Sequence, residues 1–424
     1  MTTTPIKIID KPCGSGKTTA MINNFNNQDK YLVIVPLLSE VDRIVEGSKE
    51  VEFVQPHAND NDAGTKYASL EEQLILSRNI VSTHKMYESL VPLAKAGLLS
   101  DYHIIIDEVP DVVQCIATKS KTSINEFYID TGFIEVDEDS GLVRPTQKWI
   151  DTQNQVSDTL SPNILSAAMS GCLYLQDRQM FIWALPELIL KAGLSLTILT
   201  YKAEGSLFVA YLRKLGLSFQ LENDASVDNQ FREKAAELIT IRDIPALSKL
   251  KFTHTGQQSG TKSARYCNTV SGALKNLRGR KLKGVNAKDI LITCIKDAWL
   301  KPANDNKIKL GPFAKDSRLG EANWIPNTTR GTNDYAHCSH LIYLYDQHPH
   351  PFITRWLGDS STAFADAYAL TELIQWVWRS RVRRGEPITV YLPSMRMRML
   401  FERWLSRNQP LRLPNAESSI LKIR

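Results

Sequence analysis

The chain has 424 residues, 43% hydrophobic and 23% charged, with a formal net charge of +5. That is enough chain for two or three domains with full cores, and the ordinary composition excludes a disordered or fibrous protein. No apolar run reaches the roughly 18 residues of a membrane helix, and the N-terminus lacks a secretory pattern. Six cysteines (Cys13, Cys115, Cys172, Cys267, Cys294, Cys338) show no C-x-x-C spacing. They point to reduced thiols in a cytoplasmic protein and away from zinc or an iron–sulfur cluster.

Ile6–Ile9 reads as a short buried strand running into Lys11-Pro12-Cys13-Gly14-Ser15-Gly16-Lys17-Thr18, with a helix starting behind it. Strand, glycine-rich loop and helix are the context of a phosphate-binding loop. The glycines let backbone N–H groups turn toward an anion, and the helix N-terminus adds partial positive charge. On this reading Cys13, Gly14, Ser15, Gly16, Lys17, Thr18 and Thr19 cradle the phosphates of a nucleotide. Lys17 reaches the β- and γ-phosphates, and the Thr18 hydroxyl holds Mg²⁺. Lys11 stands where the leading glycine of such loops usually lies.

Tyr31–Pro36 is a second strand, with a helix opening at Leu37, and residues 57–66 read as a polar loop. Asn79–His84 and Asp101–Glu108 are the third and fourth strands. Strands alternating with helices predict a parallel α/β sheet, with ligands at the carboxyl ends of its strands. Residues 111–190 depart from that pattern: a hairpin turning at Asp139–Gly141, a helical stretch over 147–170, and a strand pair at 173–175 and 180–183. They are expected to be an insertion late in the first domain. Leu194–Thr200 is another buried strand. A second series then places strands at Glu237–Ile244, Asp289–Ile295, His340–Tyr345 and Ile388–Leu392, loops at 253–264 and 301–320, and one helix from Ser361 to Arg384. The expected domains are 1–194 and 195–424.

Asp107-Glu108 ends an apolar strand, where a carboxylate is costly without a compensating cation. Such an ending also suits a helix N-cap, but about ninety residues after a phosphate loop it suits Mg²⁺. Asp107 then holds the ion through its water shell, and Glu108 polarises the attacking water as general base. Neither His nor Cys enters this pair, so phosphoryl transfer to water is the implied reaction. Gln375, Arg379 and Arg383 are spaced i, i+4, i+8, which puts them on one face of the predicted helix and suits a γ-phosphate and its developing charge. From Arg379 to Arg424 eleven Lys/Arg face three Glu; this basic C-terminal segment is a candidate nucleic-acid footprint. Trp376 and Trp378 are read as core rather than as base-stacking residues.

These segments together resemble superfamily 2 helicases of the DEAD/DEAH-like group, over most of the chain. Gly14–Thr18 resembles motif I, and Asp107-Glu108-Val109-Pro110 the D-E-x-x box of motif II. Val33–Ser39, which includes Pro36, is similar to motif Ia, and Ser82-Thr83-His84 to the T-H signature between Ia and II. Leu199-Thr200 resembles motif III, and the segment from Thr328 to Asp334, with Arg330 and Gly331, resembles motif V, Asn333 standing in place of its acid. Gln375, Arg379 and Arg383 fall where motif VI lies, the last arginine one place late.

The resemblance implies an α/β chain of two RecA-like P-loop NTPase domains in tandem, with ATP and Mg²⁺ between them and nucleic acid across both. It implies that Arg379 and Arg383 are arginine fingers and that Thr83, His84 and Arg330 contact phosphates. Pro36, Thr200, Thr328 and Gly331 would bind nucleic acid or couple it to the ATP site. The compact size looks like small helicases encoded by bacterial viruses. The expected function is an ATP-dependent translocase or helicase. DNA is favoured over RNA as its track, replication or recombination proteins are candidate partners, and no membrane is involved. The alternatives are a double-strand translocase or branch remodeller that never separates strands, a packaging-type ATPase, and a partner-regulated nucleotide switch.

Overall fold

The computed structural model describes residues 4–58, 64–87, 89–116, 118, 123–152, 162–302, 308–329 and 331–406. The chain divides into two compact units. The first comprises Met1–Ala225 together with Thr329–Thr332 and Pro349–Ser360, and the second the rest.

In the first unit the chain runs β1 (Ile6–Asp10), α1 (Lys17–Asn23), β2 (Lys30–Val35), α2 (Leu38–Gly47), β3 (Phe53–Val54), α3 (Lys66–Ile75), β4 (Asn79–Thr83), α4 (His84–Tyr87), α5 (Val91–Lys95) and β5 (Tyr102–Asp107). An excursion follows: β6 (Val113–Ile116), β7 (Ile134–Val136), β8 (Val143–Pro145), α6 (Gln147–Thr152), α7 (Pro162–Met169), β9 (Leu173–Gln176), β10 (Met180–Ala184) and α8 (Glu187–Leu190). The unit closes with β11 (Ser195–Thr200), α9 (Leu207–Lys214) and β12 (Gln220–Asn223). Seven strands pair in parallel in the order β12-β1-β11-β5-β2-β4-β3. Their Ile- and Val-rich runs are what a sheet covered on both faces requires. Ile8, Leu32, Val33, Ile80, Val81, Ile106 and Ile198 are all fully buried.

The second unit continues through α10 (Ala225–Leu238), β13 (Ile239–Arg242), α11 (His254–Gly260), α12 (Ala264–Arg280), β14 (Ile290–Thr293), α13 (Lys296–Trp299), β15 (Leu300–Pro302), β16 (Ile308–Leu310), β17 (Asn323–Trp324) and β18 (His340–Tyr343). Next comes α14 (Pro351–Leu357), which belongs to the first unit, followed by α15 (Thr362–Val377), β19 (Ile388–Tyr391) and α16 (Met395–Leu405). Five parallel strands lie in the order β13-β19-β18-β14-β17. Among the described residues no helix is long and apolar enough to cross a membrane.

The expected boundary at 194/195 moves to 225/226. β11 is no opening strand of a second domain: it threads between β1 and β5, and its Thr200 pairs in register with Asp10. The excursion does form its own layer, a β6-β10-β9 antiparallel sheet and a β7-β8 hairpin. Tyr128, Trp149 and Phe181 pack edge to face in its core, with centroids 5.2–5.5 Å apart. The expected loop at 253–264 holds α11 and the start of α12, because Thr253 and Ser263 accept the backbone N–H of Gly256 and Tyr266 and so cap two consecutive helices. In the expected loop at 301–320, β15 and β16 form a hairpin. Trp376 and Trp378 are core, 0% and 4% exposed.

α14 is held by aromatic packing. The Trp356 ring lies 5.1 Å from Tyr174 and 5.8 Å from Tyr211, with the Lys214 ammonium 4.5 Å over its face. Arg355 pairs with Asp177 at 2.8 Å.

Candidate active site

β1 delivers the chain to the phosphate-type loop, and β5 delivers Asp107-Glu108 beside it. Gly14 and Gly16 take φ of 77° and 81°, a conformation open to glycine, and Gly16 caps α1. The Lys17 ammonium donates to the carbonyls of Lys11 (2.7 Å) and Pro12 (3.0 Å), which holds it across the mouth of its own loop. The Thr18 hydroxyl donates to Asp107 Oδ2 at 2.8 Å, joining residues 89 apart in sequence. Asp107 is 8% exposed. Burial pushes its carboxyl up to about 6 and the Glu108 charge adds to the push, while the Thr18 hydroxyl and the Lys17 ammonium act against it. Such a carboxylate lacks cationic compensation, as a divalent-metal ligand does before the metal binds.

Glu108 occupies a left-handed turn at φ 61°. Two hydrogen bonds fix the peptide that enters it: Glu108 N donates to Leu199 O at 2.9 Å, and the His84 ring donates from Nε2 to Asp107 O at 2.9 Å. His84, expected from the motif resemblance to contact nucleic acid, thus lies with its ring against the acidic pair. Thr83 ends β4 immediately before it. Thr200 ends β11, and its carbonyl accepts the N–H of Lys11 at 3.1 Å, tying the motif III-like strand to the start of the phosphate loop.

Three further residues were missed. Asp10 accepts the N–H groups of Lys202 (2.7 Å) and Ala203 (3.1 Å), pinning the end of β11 to the end of β1. From α2, Arg43 donates to Thr19 Oγ1 at 3.0 Å and pairs with Glu40 at 3.1 Å, and the Glu40 charge is felt at Asp107. The signal for Asp10 was present, a carboxylate closing an apolar strand just before the loop. Glu40 and Arg43 carry no such signal on a helix with an exposed face.

Pro36 and Gly331 are brought together within the first unit. A Cβ on Gly331 would lie 2.7 Å from Pro36 Cγ, and its φ is +72°, so only glycine suits the position. Thr328 is exposed and Arg330 lies outside the described residues.

The expectation of one arginine face fails. α15 ends at Val377, and Ser380 turns extended (φ −92°, ψ −176°) with its hydroxyl donating to Val377 O at 2.7 Å. Arg381–Arg384 form a separate 3₁₀ turn, where Arg381 donates to Pro387 O at 2.7 Å. Gln375 closes the helix at 8% exposure, Arg379 lies beyond its end at 5%, and Arg383 is exposed on the turn. Of the basic C-terminal segment, residues 407–424 lie outside the described residues.

A model of the YonV C-terminal Rossmann-like domain matches residues 233–405. The SPbeta prophage-derived uncharacterized protein YonV of Bacillus subtilis (strain 168) is 26% identical over 435 residues, which span 94% of this chain and 98% of that protein. Among solved structures, that of XPD in its apo form superposes with a TM-score of 0.51 at 12% identity, covering 95% of each chain. The S. tokodaii Xpd4 structure gives 0.47 at 12% identity over 94% of each. The chain thus shares its fold with that XPD structure, the tandem RecA-like α/β architecture that the resemblance of its motifs implies.

Proposed function

We propose that this chain is an ATP-dependent nucleic-acid translocase or helicase. The observation that carries the reading is the Thr18–Asp107 hydrogen bond, which brings a loop hydroxyl and a buried strand-end carboxylate to one point beside Lys17. Lys17 would bind the β- and γ-phosphates, and Thr18 and Asp107 would hold Mg²⁺, whose charge neutralises the phosphate oxygens. Glu108 takes a proton from water as the water oxygen bonds to the γ-phosphorus and the bond to the ADP oxygen breaks. Gln375, Arg379 and Arg383 are proposed to serve the same reaction, with the two arginines as the fingers that meet the developing charge.

The track is proposed to be DNA rather than RNA, with replication or recombination proteins as partners. Pro36, Thr83, His84, Thr200, Thr328, Arg330 and Gly331 are proposed to couple grip on the backbone to the ATP cycle. The test is the steady-state ATPase rate alone and with single-stranded DNA, duplex DNA and RNA, using Lys17→Ala as control. Stimulation by one polymer, abolished in the control, establishes the motor and names its track. Turnover indifferent to every polymer overturns the reading.

A further inference from the structure

Residues 244–288 contain ten Lys/Arg and not one Asp or Glu. Against a chain total of +5, this stretch leaves the remainder at −5. Its central element is α12, 17 residues and so about 26 Å long. Cys267, Val270, Ala273, Leu274 and Leu277 bury one side of the helix. The other side presents Arg265, Asn268, Gly272, Lys275 and Gly279 at 3–4 residue intervals, all on one face.

The loop after the helix carries the charge onward on a fixed frame. Arg278 turns inward, its Nη1 donating to Leu282 O (2.6 Å) and Val285 O (2.7 Å), while Arg280, Lys281, Lys283 and Lys288 are exposed. Compensation of the helix dipole accounts for cations in the last turn alone; Lys283 and Lys288 lie beyond it. In the second unit Arg396 pairs with Asp346 and Asp366, and Arg398 with Asp243, away from this face. Gly272 and Gly279 lie within the helix, where glycine weakens it, yet a Cβ at either would meet nothing within 4 Å. Packing within the chain gives no reason for them, whereas close approach of an extended partner does.

We propose that the outer face of α12 and the 280–288 loop bind the phosphate backbone of a nucleic acid, as a contact surface separate from the motif residues. It rests on the proposed function for its partner and deepens that reading. The chemistry is sequence-independent: cations displace condensed counterions, and the glycine-lined face lets the backbone lie close.

The experiment titrates KCl against the full chain and a fluorescein-labelled single-stranded DNA, read by anisotropy. It compares wild type with Lys275→Ala/Lys281→Ala/Lys283→Ala and with Gly272→Glu/Gly279→Glu. Loss of three contacts flattens the slope of log K against log salt by about 2, so between 50 and 200 mM KCl the triple variant loses about 20-fold less affinity than wild type. The glutamate variant weakens binding at low salt without lowering the unfolding midpoint, which the loss of two helix glycines raises, the triple variant keeps the midpoint of wild type, and both keep the basal ATPase rate. Unchanged slope and affinity in both variants, with the wild type binding normally, overturn the surface and leave the motor standing. A wild type that binds no DNA or RNA at 50 mM KCl overturns the motor reading and the surface together. Wild-type retention on phosphatidylserine vesicles that is lost in the variants, with DNA binding unaltered, reassigns the face to a lipid surface and overturns the proposal.

Discussion

The Glu108 turn sets stability against turnover in a measurable way. A non-glycine residue at φ 61° costs about 1–2 kcal/mol relative to an unstrained one. The turn is held there by the His84 bond to Asp107 O and by the bond from Glu108 N to Leu199 O. Glu108→Ala keeps the Cβ that causes the strain, while Glu108→Gly removes it and gives back about 0.5–1 kcal/mol through the greater freedom of the unfolded chain. The glycine variant is therefore more stable than the alanine variant by about 0.5–1 kcal/mol, the reverse of the order at a helix or strand position. In a unit of this size that is a rise of about 1–4 °C in the unfolding midpoint. Calorimetry and urea unfolding of both variants measure the difference, with Glu108→Gln as a control that keeps both the strain and the side-chain volume. All three are expected to lose turnover by a factor of about 100 or more, the scale of a lost general base. An alanine variant as stable as the glycine one refutes the strain argument, and turnover that survives in Glu108→Gln removes Glu108 from the mechanism.

Two further predictions concern the frame around the sites. Arg396 donates to Asp346 (3.0 Å), Asp366 (2.9 Å), Gln347 O (2.8 Å) and Ala365 O (3.0 Å). Arg396→Met should cost about 2–3 kcal/mol, less than a fully buried pair because these side chains keep about a quarter of their exposure. Burial pushes the Asp346 carboxyl up, but the His348 and Arg396 charges and hydrogen bonds outweigh it and hold it below its ordinary value. The folded state thus binds the proton less readily than the unfolded one. The Asp346 contribution is full at neutral pH and fades as pH falls below about 4, so urea midpoints of wild type and variant should converge with acidification and diverge if the sign is wrong. Trp356→Ala should cost about 3 kcal/mol by emptying the space against Tyr174 and Tyr211. Protease cleavage within 349–360 should then precede global unfolding; a segment as resistant as wild type contradicts its anchoring role.

What was legible in the sequence is what local chemistry decides. The run from Ile6 to Thr18 and the run from Tyr102 to Glu108 each carry strand pattern and functional ending in one stretch, and the structure joins them through the Thr18–Asp107 hydrogen bond. The misreadings arise where distant chain decides. Leu194–Thr200 has the pattern of any buried strand, and only pairing with Asp10 on one side and Asp107 on the other places it in the first sheet. The helix ending at Val377 was read through to Arg384, because helical periodicity outlasts the helix: Ser380 caps the Val377 carbonyl and the extended backbone that follows meets Cys338 O. That interruption has a functional consequence. Two arginines four residues apart on one helix would move as a unit, whereas Arg379 is packed at 5% exposure and Arg383 sits on a short turn leading into β19. The two guanidinium groups are therefore expected to separate under mutation. Arg379→Lys should lower stability along with turnover, because a fixed planar side chain is lost from the interior. Arg383→Lys should lower turnover with the unfolding midpoint unchanged. Equal loss of stability in both would show that the turn is as much a part of the core as the helix it follows.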